Sequence, residues 1–170
     1  HPDVALIQET HLTDKKRKKL RQEWVGREYH AHKQWDTNQA QTQLNPPRKV
    51  GVAILIRKGL SVQVHKVWRD PDGPYVLLKQ TIQDKRLILG SIYCPVHNIR
   101  NTFQQLVRIL AQFSHTKILL GGDWNIAPDP HMDKSQHPHT SHQSDRGLLA
   151  DLKSDFSLHH PWRLYQSEDR

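Results

Sequence analysis

The stretch Lys117-Ile-Leu-Leu-Gly-Gly-Asp-Trp-Asn125 decides the fold of this chain. Its apolar residues, 118–120, follow Lys117 and are followed by two glycines, and such a run predicts a short, buried strand in the centre of a sheet. Gly121 and Gly122 are predicted to let the backbone leave that sheet in a conformation that other residues avoid. The sequence therefore places the end of a strand directly before the polar residues that follow.

Asp123 and Asn125 come next and are two residues apart. If the chain is still extended there, both side chains point the same way, because side chains alternate along a strand. Open α/β sheets bind ligands just beyond the carboxyl ends of their strands. A carboxylate beside an amide at this place suits a hard metal ion, a water molecule or a phosphate oxygen.

The composition limits the class of protein. The chain has 170 residues, 35% of them hydrophobic, and a mean hydropathy of −0.78. This length predicts one domain over residues 1–170, and no apolar run approaches the length of a membrane span. The formal charge of +8 and the pI near 9.7 favour an acidic partner, of which nucleic acid is the commonest. A basic protein without such a partner is the alternative.

Cys94 is the only cysteine in the sequence. A single cysteine excludes an internal disulfide framework and is typical of a reducing compartment. The sequence shows no signal peptide, so we predict an intracellular protein. The chain starts at His1 and its first apolar strand begins almost at once, which favours a fragment cut inside a domain.

Apolar runs and turn residues predict five more strands. The first ends in polar residues, the second is fully buried, and the last two form a hairpin around residues 83–85. Asp70-Pro-Asp-Gly-Pro74 has strong turn chemistry, and Cys94-Pro95 stops the last strand. The predicted strands are residues 3–9, 50–56, 61–68, 75–82 and 86–93.

A basic helix is predicted after the first strand. Thr13 is its expected cap, and Leu20 and Trp24 form its buried edge. Its cationic face can contact a phosphate backbone, although a solvated helix face is the more common explanation. The candidate DNA-binding residues are Lys15, Lys16, Arg17, Lys18 and Lys19.

Two more helices follow from apolar residues at helical spacing. The first of them is predicted to bury Phe103, Leu106, Val107, Leu110 and Phe113. The second is predicted over residues 145–152, with Ser144 as its cap and leucines 148, 149 and 152 inward. Strands and helices in this mixed order fit α/β or α+β layers.

Two polar stretches, residues 31–49 and 128–143, are predicted to be loops. The second contains four histidines whose spacing matches no common zinc site, and no cysteine lies nearby. A surface loop is therefore preferred to a zinc site. The histidines are His131, His137, His139 and His142.

Glu9, Asp123 and Asn125 stand at predicted strand ends, and Tyr93 closes a further strand. Two carboxylates and an amide suit Mg²⁺, which keeps several waters and needs few protein ligands. Such a metal can polarise a phosphoryl oxygen while a carboxylate orients the attacking water. Taken singly, each residue has a simpler alternative: a solvated carboxylate, an Asx turn, or a ring over a sheet edge.

Four motifs occur in an order that resembles the endonuclease/exonuclease/phosphatase superfamily. They are Gln8-Glu9-Thr10, Gly51-Val52-Ala53, Ile92-Tyr93-Cys94-Pro95 and Gly122-Asp123-Trp124-Asn125. Together with Met132-Asp133-Lys134-Ser135 and residues 155–163, they are most similar to the apurinic-endonuclease-like nuclease domain of LINE-type retrotransposons. The resemblance covers nearly the whole chain and rests on the ordered set, since no single motif is very specific.

The resemblance implies an α/β (α+β) fold, a two-sheet sandwich flanked by helices, DNase I-like and truncated at both ends. It implies hydrolysis of a DNA phosphodiester with Mg²⁺, or Mn²⁺, as cofactor. Glu9 would bind the metal together with Asp123 and Asn125, and Asp123 would also deprotonate the attacking water. Asn125 would hold the scissile phosphate, and Tyr93 would donate a hydrogen bond to it. A reverse transcriptase domain on the same polypeptide, a nuclear location and a monomer are the accompanying expectations.

The sequence departs from the family pattern in three places. An early strand with an asparagine near the metal and a final Ser-Asp-His strand are not found in residues 1–170. Val96 stands where an asparagine often follows the Tyr-x-Pro element. Because the histidine half of the machinery is missing, the 170-residue chain is expected to nick DNA more weakly than a complete domain. A truncated remnant that at most binds DNA, and a phosphatase of the same superfamily, are the alternative functions.

Overall fold

A computed structural model describes residues 2–11, 14–32, 51–113, 115–128 and 143–165. Within these ranges the chain forms a short 3-10 helix, Val96–Asn98, as well as seven strands and four α-helices. In chain order they are β1 (Val4–Ile7), α1 (Asp14–Glu23), β2 (Gly26–His32), β3 (Gly51–Arg57), β4 (Val62–Arg69), β5 (Tyr75–Ile82), β6 (Lys85–Tyr93), α2 (Ile99–Leu110), β7 (Lys117–Asp123), α3 (Gln143–Asp155) and α4 (Pro161–Tyr165). None of the described helices is both long enough and apolar enough to cross a membrane.

The strands form two sheets, as the α/β two-sheet prediction requires. The first has the order β1-β3-β2 and is antiparallel throughout. The second has the order β4-β5-β6-β7 and is mixed, because β6 and β7 run parallel. Parallel neighbours bring their carboxyl ends to the same edge of a sheet, so Tyr93 at the end of β6 and Asp123 at the end of β7 lie at one edge.

The chain divides into two compact units. The first, His1–Tyr93 with Thr116–Asp123, holds both sheets and α1. The second, Cys94–His115 with Trp124–Arg170, holds the other three α-helices. The expectation of a single domain over residues 1–170 stays a prediction.

The core of the first unit lies between the inner faces of its two sheets. Six consecutive residues of β3 are buried, which confirms the prediction of a fully buried strand. Ile54 and Ile56 of β3 belong to the same apolar cluster as Val76 and Leu78 of β5. Packing on the second sheet covers one face of β3. Ala53 and Leu55, which point to the opposite face, are buried as well, so both faces are covered and β3 has a continuous apolar run instead of an alternating one.

In the second unit α2 packs on α3. The buried side of α2 includes Phe103, Leu106 and Leu110, and α3 buries Leu149 and Leu152, so these predicted inward residues are confirmed. The other three residues predicted to point inward are half-buried: Val107, Phe113 and Leu148. Ser144 is not the cap of α3, because that helix already begins at Gln143. The helix predicted to follow Thr13 is confirmed as α1, while Thr13 itself and the four loop histidines lie outside the described residues.

β7 departs from its prediction in two ways. It was expected to be a central, buried strand, but in the described part of the chain its one strand neighbour is β6, so it lies at the edge of its sheet. Its side chains alternate between exposed and partly buried, and Leu119 is 54% exposed. An apolar run of three residues cannot distinguish a strand covered on both faces from one covered on a single face.

β2 was not predicted at all, since its sequence, Gly-Arg-Glu-Tyr-His-Ala-His, has little apolar character. Only Ala31 in it is fully buried, and its position is set by pairing with the apolar β3. The β5–β6 hairpin was predicted but its turn is tighter than expected. Gln83 and Asp84 both have positive φ, 46° and 62°, which is the two-residue type I′ geometry, and Lys85 already pairs with Ile82.

Gln80 lies on the inner face of β5, and its side-chain oxygen and nitrogen have no hydrogen-bond partner in the described part of the structure. A buried amide without partners costs about 1–3 kcal/mol. We expect Gln80→Met to raise the free energy of unfolding by about 1–2 kcal/mol, because it keeps the volume and removes the polar atoms.

Urea unfolding of the two proteins measures this difference. Gln63→Met on the exposed side of β4 is the matched control, and its effect should stay within about 0.5 kcal/mol. A loss of stability in Gln80→Met would show that the amide is satisfied, for example by buried water.

Candidate functional site

Tyr93 and Asp123 are partners in the parallel ladder between β6 and β7 and are the last residues of these strands. Paired residues of neighbouring strands have their side chains on the same face of the sheet. The Asp123 side chain is exposed and Tyr93 is half-buried. The backbone N–H of Tyr93 donates to the carbonyl of Pro74 at 2.7 Å, which fixes the end of β6. The sequence prediction that both residues end strands is confirmed.

A hydrogen-bonded bridge joins β1 to β6 beside this edge. The hydroxyl of Ser91, fully buried and two residues before Tyr93, donates to the carbonyl of Ile7 at 3.1 Å. The same hydroxyl accepts a hydrogen bond from Nε2 of Gln8, also at 3.1 Å. Because one hydroxyl can donate once and still accept, both contacts are satisfied together. We call these three residues, Ile7, Gln8 and Ser91, the inter-sheet bridge.

Glu9 directly follows the inter-sheet bridge and is exposed. Its backbone φ is 47°, in the left-handed region that a residue with a side chain adopts at a cost. The next residue, Thr10, is fixed in turn, since its N–H donates to the carbonyl of Gly51 at 3.0 Å. Glu9 was predicted as the last residue of the first strand, but β1 ends at Ile7. The carboxylate therefore sits on a short connection that is held at both ends.

Gly121 and Gly122 do not turn the chain out of the sheet, which corrects the prediction. Both lie inside β7, and neither has positive φ. They are needed for close packing instead. A Cβ on Gly121 would lie 2.6 Å from Cδ1 of Leu6 in β1, and a Cβ on Gly122 would collide with the backbone carbonyl of Ile92. These glycines let β1 and β6 approach the end of β7.

Asn125 belongs to the second unit, and its backbone is not extended: φ is 51°. We expected Asp123 and Asn125 to point the same way because side chains alternate along an extended strand. The strand ends at Asp123, so this alternation does not reach Asn125. The Asn125 amide nitrogen donates to the carbonyl of Cys94 at 2.8 Å, and the ring of Trp124 packs on Phe103 with centroids 5.5 Å apart. These contacts hold Trp124 and Asn125, the two residues that follow β7, within the second unit.

Asp70 belongs to the predicted turn between β4 and β5, whose Pro74 carbonyl accepts the N–H of Tyr93. It is buried, and its carboxylate accepts a hydrogen bond from the N–H of Asp72 at 2.8 Å. Burial raises the pKa of this carboxyl above its ordinary value. Burial also raises the pKa of Tyr75 to about 12, with the nearby Asp70 charge adding to the effect. The turn holds the Pro74 carbonyl where it accepts the N–H of Tyr93. Because the two residues are distant in sequence, the sequence pattern alone does not reveal this contact.

The sequence matches the Endonuclease/Exonuclease/phosphatase family over residues 1–167. The chain belongs to this family. Members of the endonuclease/exonuclease/phosphatase family are hydrolases, and they generally use divalent metal ions. The superfamily suggested by the motifs is confirmed, whereas its apurinic, retrotransposon-type branch stays a proposal.

Solved structures agree with the family at the level of the fold. The catalytic domain of human Nocturnin, solved with a bound sulfate anion, is similar at 13% identity and a TM-score of 0.51, over 75% of this chain and 53% of that one. Truncated TDP2 from Caenorhabditis elegans matches at 18% identity and a TM-score of 0.44, over 81% and 54% of the two chains. A humanized TDP2 of D. rerio matches at 16% and 0.46, over 74% and 50%. The likeness to the Nocturnin domain shows a DNase I-like fold. The chain spans about half the length of these structures.

The acidic residues among the predicted site residues fit the divalent ion that the endonuclease/exonuclease/phosphatase family generally uses. Glu9 and Asp123 supply two carboxylates, and both side chains are exposed. Mg²⁺ is usually held by one or two carboxylates and several waters, so a larger set of ligands is not required. Among the described residues, no group of three or more His, Cys, Asp or Glu side chains is placed so that it could hold a metal ion. The convergence of Glu9, Asp123 and Asn125 on one ion stays a prediction.

The predicted DNA-binding residues lie on α1, as expected. The structure describes the side chains of two of them, Lys18 and Lys19, and both are exposed. Lys19 forms an ion pair with Glu23 at 3.5 Å, four residues along the helix, and exposed pairs of this kind contribute little to stability. The contact of α1 with DNA remains a prediction.

Proposed function

We propose that this chain is a metal-dependent DNA endonuclease of the apurinic, retrotransposon type. The observation that supports it most is the pairing of Tyr93 with Asp123 at the carboxyl ends of β6 and β7. The inter-sheet bridge adds support, because it anchors the residue before Glu9 to β6, two residues before Tyr93. A phenol and carboxylates at one edge are the groups that phosphodiester hydrolysis by water requires.

Asp123 orients the attacking water and accepts its proton, because an exposed carboxylate on a fixed strand end can reach a water molecule bound to the phosphate. Tyr93 donates a hydrogen bond from its phenol to a phosphate oxygen, which gains negative charge in the transition state. Glu9 and Asp123 would hold Mg²⁺, or Mn²⁺, and the bound ion supplies positive charge that polarises a phosphoryl oxygen. Asn125 is proposed to orient the scissile phosphate.

The proposal is tested by incubating the chain with supercoiled plasmid in Mg²⁺, in Mn²⁺ and in EDTA. We expect conversion to the nicked circle with either ion and none in EDTA. An aryl phosphate monoester, offered under the same conditions, should stay intact. Hydrolysis of the monoester without nicking would instead support the phosphatase alternative. Nicking that persists in EDTA would contradict the proposed metal dependence.

A further inference from the structure

Two histidine rings lie next to each other on the outer face of the first sheet, the side turned away from the sheet–sheet core. His30 and His32 are two residues apart on β2, so both point to this face, while Ala31 between them is buried in the core. The centroids of the two rings are 5.3 Å apart, and the ring planes are inclined at 37°. Both side chains are half-buried, so the pair is partly open to solvent.

The neighbouring strand leaves space beside these rings. His30 is directly opposite Ala53 of β3, and His32 is directly opposite Gly51. A Cβ on Gly51 would lie 3.4 Å from the Cβ of His32 and 2.6 Å from the hydroxyl oxygen of Thr10. The histidine and the hydroxyl group therefore flank the same small space, which the missing side chain of Gly51 leaves open.

The hydroxyl group of Thr10 is unsatisfied at this place. Its oxygen is buried and has no hydrogen-bond partner in the described part of the structure. A buried hydroxyl without a partner is unfavourable, because it has lost its hydrogen bonds to water. A water molecule held in the space beside His32 would supply that partner.

The separation of the two rings matches the geometry of a tetrahedral metal ion. Zn²⁺ binds imidazole nitrogens at about 2.0–2.1 Å with tetrahedral angles, which places the centroids of two rings on one ion about 5.2 Å apart. The right angle of an octahedral ion would bring the centroids to about 4.5 Å. Imidazole is also a ligand that suits Zn²⁺ and Cu²⁺, whereas Mg²⁺ prefers oxygen.

We propose that His30 and His32 together bind one Zn²⁺ ion, at a site that uses none of the residues proposed to hold Mg²⁺. No third His, Cys, Asp or Glu among the described residues is placed to complete a metal site, so two water molecules complete the tetrahedron. One of these waters accepts or donates a hydrogen bond at the Thr10 hydroxyl.

Both histidines have a further interaction within the protein, and zinc binding is compatible with it. Each imidazole ring has two nitrogens, and a metal-binding histidine commonly uses the second one for a contact with the protein. Such a contact fixes the orientation of the ring before the ion binds. The structure therefore provides two oriented ligands on a rigid strand.

Zinc at this pair would stabilise the folded chain. The two rings are held side by side by the pairing of β2 with β3, and this arrangement is lost on unfolding. An ion that binds the folded state and not the unfolded state raises the Tm. The sequence has 13 histidines, and those without a fixed neighbour bind zinc equally well in the unfolded chain. The Tm is therefore a more specific measure than the total amount of bound zinc.

The test compares the Tm of the untagged chain with and without Zn²⁺, in a constant excess of Mg²⁺. The variant is His30→Gln/His32→Gln. The matched control is His159→Gln/His160→Gln, which removes two exposed histidines just before α4. Isothermal titration calorimetry with Zn²⁺ measures the affinity. DNA cleavage is not measured, so a failure here leaves the proposed nuclease activity untouched.

We expect Zn²⁺ to raise the Tm of the parent chain and of the control by the same amount, and to leave the Tm of the double variant nearly unchanged. The single variant His32→Gln should bind Zn²⁺ at least about tenfold more weakly, since even changes outside the ligand set cost that much. This variant keeps His30 in place and decides the question if the double variant does not fold. An equal rise in Tm for the parent and the double variant would overturn the proposal, as would an unchanged affinity in His32→Gln. The two rings would then form an aromatic contact only.

Discussion

Asp123→Asn is expected to lower the rate of plasmid nicking by at least about a hundredfold. Asparagine cannot accept a proton from water, and it is a poorer ligand for Mg²⁺ because it carries no charge. Loss of a positioned general base costs about two to four orders of magnitude. The side chain is exposed at a strand end, so the fold should tolerate the change. Nicking rates at saturating Mg²⁺, with circular dichroism to verify folding, measure the effect.

Asp84→Asn is the matched control for Asp123→Asn. It removes the same charge from the same unit, in the β5–β6 turn at the far end of β6 from Tyr93. Asp84 has a φ of 62°, a conformation that asparagine adopts as readily as aspartate. We expect an unchanged nicking rate in this control. Comparable nicking rates for Asp123→Asn and the parent chain would show that Asp123 is not the general base. The proposed mechanism would then lose its main support.

Gly122→Ala is expected to lower the free energy of unfolding by about 2–3 kcal/mol, which corresponds to a fall in Tm of about 5–10 °C for a chain of this length. The added methyl group would collide with the Ile92 carbonyl, and a backbone atom of a neighbouring strand cannot rotate away as a side chain can. The β6–β7 ladder must therefore shift at the edge that carries Tyr93 and Asp123. Differential scanning calorimetry measures the change.

Gly147→Ala makes the same chemical change where there is room for it. Gly147 lies in α3, and no atom would come within 4 Å of the added methyl group. Alanine favours the helix over glycine by about 1 kcal/mol, so this variant should be slightly more stable than the parent. If the two alanine variants had equal Tm values, the close approach at Gly122 would be of no consequence.

Much of the fold could be predicted from the sequence because its signals are local. The apolar run of β3, the β5–β6 hairpin and the amphipathic face of α2 each reflect a pattern within about a dozen residues, and all three are confirmed. The end of β6 at Tyr93 follows from Cys94-Pro95, which stops the strand. Asp123 was also correctly placed at a strand end, although the glycines expected to turn the chain there lie inside β7.

Contacts between distant segments could not be predicted in this way. β2 depends on its partner β3 more than on its own sequence, and β7 lies at an edge that its apolar run does not reveal. The glycines before Asp123 were assigned to a turn because glycine often permits one, whereas their function is to admit Leu6 and Ile92. Ser91 has no signal of its own, since its partners are more than eighty residues away in the sequence.

The inter-sheet bridge has a consequence for how this protein can vary. Ser91 is buried between strands of different sheets, yet its two hydrogen bonds end at the residues immediately before Glu9. Substitutions that alter the spacing of the sheets would therefore move Glu9, although they touch nothing at the surface. Selection for stability and selection for activity act here on the same hydroxyl group. Screens for stabilised variants should accordingly recover changes on the outer faces and in the helices more readily than changes around Ser91.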